Sequence, residues 1–200
     1  AGDRAGRSVS GAGDINGDGI DDLIIGAYGG DDGGSFAGEA YVVFGSTNGF
    51  GTGVNGRQVI DLATLSAAQG FIIQGDASRD WTGFSVSDAG DVNGDGYADL
   101  IVGAHQGDDG GSSAGEAYVV FGSESGFGVT VGGRQVIDLT SLSSSQGFII
   151  QGDSASDNAG YSVSSAGDVN GDGYDDLVIG ASGDTDGGTS AGAAYVVFGG

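Results

Sequence analysis

The sequence predicts an all-β fold, a tandem array of four-stranded antiparallel sheets, and three observations carry that prediction. The apolar runs are short, favour Val, Ile, Tyr and Phe, and are bounded by glycine, aspartate and serine. The chain repeats itself at one spacing: Asp14, Asp91 and Asp168 lie 77 residues apart, and so do Phe44, Phe121 and Phe198. Runs such as Leu100-Ile101-Val102 and Tyr118-Val119-Val120-Phe121 have no polar interruption, as expected of strands covered on both faces, so sheets must stack on sheets.

The period divides the chain into units 1–77, 78–154 and 155–200, about 2.6 in all. Gly-Glu-Ala-Tyr-Val-Val-Phe-Gly at 38–45 recurs at 115–122 and, with alanine for glutamate, at 192–199. In the second unit the four strands are expected near 83–89, 99–104, 116–122 and 147–152, the first with an alternating pattern at Phe84 and Val86. Between the third and fourth strands run about 25 residues, 46–70 in the first unit. They contain Gln58-Val-Ile-Asp-Leu62, followed by a segment expected to form a turn or two of helix. Its recurrence at Arg134 to Leu142 implies ordered packing for Ile60, Leu62 and Leu65. The third unit stops after its third strand, so an unpaired edge is expected there. Two explanations stand open: a segment of a longer array, or chains that complete one another's sheets by strand addition.

Acidic residues outnumber basic ones 28 to 5, all five basic residues are arginine, and the net charge is −23. That charge repels phosphate backbones and anionic lipid surfaces, which argues against nucleic-acid or membrane partners and for cations. No run approaches the roughly 18 apolar residues of a membrane span. There is no cysteine, which removes disulfides, thiolate metal sites and thiol nucleophiles together.

The acids concentrate in one repeated loop, Asp-x-Asn-x-Asp-Gly-x-x-Asp, between the first two strands of each unit. Its members are Asp14, Asn16, Asp18, Asp22; Asp91, Asn93, Asp95, Asp99; and Asp168, Asn170, Asp172, Asp176. Oxygen side chains at alternate positions converge when the chain curls, and a hard cation such as calcium takes 6–8 oxygens, so one Ca2+ per repeat, three in total, is expected. The seventh position, Ile20, Tyr97 or Tyr174, is expected to offer its backbone carbonyl, and the glycine before it permits the bend. The twelfth position holds Ile25, Val102 and Ile179 in place of a bidentate glutamate, so these are not EF-hands. Three crowded carboxylates holding two strands in register imply that metal binding is coupled to folding. A second acidic run, Asp31-Asp32, Asp108-Asp109 and Asp184-Thr-Asp186, reads either as a solvated glycine turn or as a second cation site.

The stretch from Phe84 through Asp91, Asn93, Asp95 and Asp99 to Ala104, followed by Gly115-Glu-Ala-Tyr-Val-Val-Phe-Gly122, resembles an FG-GAP repeat, the unit of the integrin alpha-subunit beta-propeller and of many bacterial surface proteins. The resemblance recurs in all three units, covers about half of each, and implies one four-stranded propeller blade per repeat with calcium on the loop between strands one and two. The proline that often follows strand two in that family is replaced by Tyr28, His105 and Ser182. A closed propeller needs about 4–8 blades, so either an open array or part of a larger propeller is implied.

No serine–histidine–acid set or phosphate loop is shared by the units, so a non-catalytic module is expected. His105 is expected as an exposed loop residue, Trp81 as a local surface or interface contact, and Arg57 and Arg134 as partners of nearby acids. The function implied is a calcium-stabilised, secreted or cell-surface module for adhesion or for binding a protein or glycan. The alternatives are a self-assembling fibre or sheath subunit joined through unpaired edge strands, and a lectin-like or enzyme-appended domain.

Overall fold

The computed structural model describes residues 2–189 and 191–200. Each unit folds as a blade. The first contains β1 (Val9–Gly13), β2 (Asp22–Ala27) and β3 (Glu39–Val43), then a hairpin of β4 (Thr52–Val54) and β5 (Arg57–Val59), and finally β6 (Gly70–Gln74). The second repeats this as β7 (Ser85–Gly90), β8 (Asp99–Ala104), β9 (Glu116–Val120), β10 (Val129–Val131), β11 (Arg134–Asp138) and β12 (Gly147–Gln151). The third has β13 (Ser162–Gly167), β14 (Asp176–Ala181) and β15 (Ala193–Val197). Within each blade neighbouring strands pair antiparallel, β1-β2-β3-β6, β7-β8-β9-β12 and β13-β14-β15, and no sheet closes on itself among the described residues.

The uninterrupted apolar runs are buried on both faces as expected: every residue of β8 and β9 is buried. Phe71, Ile24 and Val42 of the first blade pack against Leu100, Val102 and Tyr118 of the second. Ile101 and Val119, on the opposite face of the second blade, pack against Leu177 and Ile179 of the third. The middle blade is therefore a filled layer between two others.

The long connection between the third and fourth strands departs from expectation. The turn or two of helix expected there is present as a single 3-10 turn, Leu62–Thr64 in the first unit and Leu139–Ser141 in the second, but a β-hairpin that was not expected precedes it. Asp61 and Asp138 cap these turns by accepting from Ala63 N and Thr140 N. The second hairpin also does something the repeat alone does not reveal. Strand β11 pairs parallel with β6 of the preceding blade, Val136 opposite Ile72 and Ile137 opposite Ile73, so the outer edge of the first blade is covered. Buried Val136 and Ile137 of the hairpin, with Leu139 of the 3-10 turn, supply the apolar surface that the packing needs.

Candidate functional site: the repeated acidic loops

Each acidic loop leaves its first strand through a bulge, at Gly13, Gly90 and Gly167, all at positive φ. The curl that follows is built by side chains bonding their own loop. The first aspartate accepts from successive amides: Asp14 from Asp18 N at 3.0 Å and Gly19 N at 2.8 Å, Asp91 from Gly94, Asp95 and Gly96, Asp168 from Gly171, Asp172 and Gly173. The third residue, Asn16, Asn93 or Asn170, accepts from the fifth residue's N–H and donates its amide to the same residue's carboxylate. The fifth, Asp18, Asp95 or Asp172, accepts from the N–H of Ile20, Tyr97 or Tyr174. These are Asx turns in series, and they tie the first, third and fifth side chains to the loop's own amides.

The ninth residue closes the base. Asp22 takes Ile15 N on one oxygen and Gly45 N on the other. Asp99 takes Val92 N and Gly122 N, and Asp176 takes Val169 N and Gly199 N. The glycine that ends each Phe-Gly pair is required here. A Cβ on Gly122 would lie 2.4 Å from the Ala98 carbonyl oxygen and 2.6 Å from the Tyr97 Cβ. Burial pushes the Asp22 carboxyl up to about 6 and the Asp99 carboxyl up to about 7; the two amides oppose the shift, and the loop's own aspartates reinforce it.

The loops of adjacent blades touch. The Tyr97 ring covers Gly17 and the Tyr174 ring covers Gly94, so closely that a Cβ on either glycine would come within 2.4–2.5 Å of the ring. Ala98 N donates to the Asp14 carbonyl and Asp175 N to the Asp91 carbonyl. Two of the seventh residues, Tyr97 and Tyr174, carry the side chains that join each loop to the one before it, whereas Ile20 meets Gly45 of its own blade.

The loops offer three carboxylates and one amide oxygen each, the hard-oxygen set that suits calcium. Among the described residues, however, the one set of three acidic side chains whose ligand atoms all lie within 4.8 Å of one another is elsewhere: Asp76, Asp109 and Glu116. It lies at the end of the second blade away from the acidic loop, where β8 ends and β9 begins. Only part of it, the Asp108-Asp109 run, drew attention in the sequence. The buried Glu116 was signalled only by its place in the repeated Gly-Glu-Ala-Tyr run.

The FG-GAP repeat pattern matches residues 5–43, 84–120 and 159–197, more than half of the chain. The chain belongs to the FG-GAP repeat family. Each matched FG-GAP segment runs from the start of a blade through its third strand, so the acidic loop lies inside the match and the hairpin connection outside it. No curated protein matches the chain.

Other expectations fare unevenly. His105 is buried, contrary to the exposed loop position expected of it. It is enclosed by the rings of Phe84, Trp81 and Tyr161, at 4.0, 5.4 and 5.1 Å, and Arg7 stacks on Phe84. Burial and then the Arg7 charge push its imidazole down to about 4. Trp81 is an interface contact, resting on Tyr28 of the first blade and Phe84 of the second. Arg134 pairs with Asp32 at 2.8 Å across the blade boundary, whereas Arg57 lies on an exposed strand. Among the described residues no helix is long and apolar enough to cross a membrane.

Proposed function

We propose that this FG-GAP chain is a calcium-rigidified, non-catalytic module of a secreted or cell-surface protein, presenting the faces of stacked blades to a protein or glycan partner. The observation that carries the reading is the contact between loops: each curled oxygen set forms part of the next blade's seat. A cation bound at Asp14, Asn16, Asp18 and Asp22, with the Ile20 carbonyl, stiffens the junction with the second blade, and the other two loops act in the same way. Family membership supports a structural repeat with an extracellular setting, and no repeated nucleophile–base pair argues for chemistry. Calorimetric melting of the full chain in excess calcium and in chelator tests the reading. A rise in Tm with calcium is expected, and identical curves would sink the structural-calcium role.

A second reading, self-association through strand edges, is supported by one observation. Strand β6 accepts β11 as a parallel neighbour, and β12 has the same sequence, Gly-Phe-Ile-Ile-Gln, with no strand on its outer edge among the described residues. Sedimentation with calcium separates the two readings, since a strictly monomeric chain excludes the second.

A further inference from the structure

We infer that each blade carries a second calcium site, at the end opposite its acidic loop, built from carboxylates of the blade and of the segment that leads into it. In the second blade the set is Asp76 from the connection after β6, with Asp109 and Glu116, and the buried Asp80 carboxylate of the same connection lies within electrostatic reach of Asp76 and Glu116. Glu116 is buried under a fixed pair of donors, the Tyr118 hydroxyl and Asp109 N, and Asp76 Oδ1 is buried with no hydrogen-bond partner. In the first blade the equivalents are Asp3, Asp32 and Glu39. There Glu39 is 3% exposed, its Oε1 takes the Tyr41 hydroxyl, and its Oε2 has no partner. A glutamate oxygen withdrawn from water and left without a donor, on a side chain within electrostatic reach of Asp32 and Asp3, marks a place for a positive ligand. Arg134 already leans on Asp32 there, so the first blade's site is the weakest of the three.

The third blade supplies an independent observation. It has Ala193 where the others have Glu39 and Glu116, which taken alone reads as loss of the site. At Gly30 and Gly107, however, a Cβ would fall within about 2.6 Å of the glutamate carboxyl carbon, and the third unit places Asp184 at that position. The Asp184 carboxylate accepts from the Tyr195 hydroxyl and from Asp186 N, the counterparts of Tyr118 and Asp109. A glycine–glutamate pair has become an aspartate–alanine pair, and the carboxylate arrives at the same point, on the same two donors, from the loop after β14 instead of from the third strand. Packing alone would be satisfied by alanine opposite glycine. Asp153, Asp157 and Asp186 complete the set. With no imidazole or thiolate in any copy, the donors are all oxygen, which selects a hard divalent cation.

The experiment is a calcium count on the chelator-stripped full chain, by equilibrium dialysis and titration calorimetry with calcium chloride alone. More than three ions are expected to bind. Asp109→Asn, at an exposed side chain, and Asp184→Gly, which installs the residue the other blades have, are each expected to remove one equivalent. The double exchange D184G with A193E is expected to restore the ion that D184G removes. An unchanged count in both single variants, with circular dichroism showing the fold kept, overturns the inference whatever the acidic loops bind. The loops are read separately through Asp95→Asn, which leaves the distal site intact.

Discussion

Replacing Asp99 by asparagine separates the two roles assigned to the ninth loop residue, backbone anchor and cation ligand. The side chain is fully buried, and its two oxygens accept from Gly122 N and Val92 N at 2.9 Å each. An asparagine keeps one acceptor and turns its amide toward the other N–H, so one charge-assisted bond, about 1.5–3 kcal/mol, is lost and a buried donor is stranded. Removing a buried charge crowded by Asp91 and Asp95 offsets part of that, leaving about 2 kcal/mol of destabilisation in chelator. Calcium adds a second component. A site filled at 100 times its Kd contributes about 2.7 kcal/mol to stability, and a variant that cannot close the ligand ring loses it. The expected penalty is therefore about 2 kcal/mol in chelator and nearer 4–5 kcal/mol in excess calcium. Urea unfolding followed by Trp81 fluorescence in both media measures it. The same penalty with and without calcium would show that Asp99 only pins the backbone, and the loop would lose its place as a cation site.

Three further outcomes follow from local geometry. Gly94→Ala meets the Tyr174 ring in addition to an unfavourable φ of +73°, whereas Gly171→Ala has similar φ and open space. Chemical denaturation should find the first worse by at least about 1 kcal/mol. Val136→Ala, at 4% exposure on the strand beside β6, should cost about 2 kcal/mol, while Val59→Ala at the equivalent exposed position should cost under about 0.5 kcal/mol in the same assay. His105 sits below its ordinary value of 6.5, so the unfolded chain takes the proton first, and its contribution is lost as pH falls from 6.5 toward about 4. The stability-versus-pH curves of the native chain and His105→Tyr should diverge by roughly 1–3 kcal/mol across that window and run parallel above it.

The strands were legible because apolar runs buried on both faces have no competing reading once a 77-residue period is found. The curl of the acidic loops was legible because side-chain oxygens at alternate positions beside a glycine bend the chain back on its own amides. The hairpin was not. Gln-Val-Ile-Asp-Leu reads identically at 58–62 and 135–139, yet Val59 is exposed and Val136 buried, and the difference comes from a strand some 60 residues away in another unit. His105 was misread for a related reason. A lone polar residue after Gly-Ala, aligned with Tyr28 and Ser182, looks like a loop residue, and the rings that bury it come from positions scattered over two units. The distal carboxylates were half visible. Glycine to aspartate at 184 and glutamate to alanine at 193 look like unrelated drift until the space they share is known.

The junctions between loops are built unequally, and that gives the array a direction in which it should loosen. Between the second and third loops the contact is reciprocal: Asp175 N donates to the Asp91 carbonyl at 3.1 Å, and Asp91 N donates back to the Asp175 carboxylate at 2.8 Å. Between the first and second loops the corresponding residue is Ala98, which keeps a 3.3 Å bond to the Asp14 carbonyl but has no carboxylate to return. Each blade buries its faces only against its neighbours, so a junction's local stability is set by its own contacts and, on the proposed reading, by cations in its two loops. On that reading, removing calcium takes away the part common to both junctions and leaves the part that differs. In chelator the Ala98 amide should exchange its hydrogen faster than the Asp175 amide, and Asp175→Ala should bring the two rates together. Equal rates in the native chain would mean that the interblade hydrogen bonds do not govern the opening, and that the buried apolar faces alone set it.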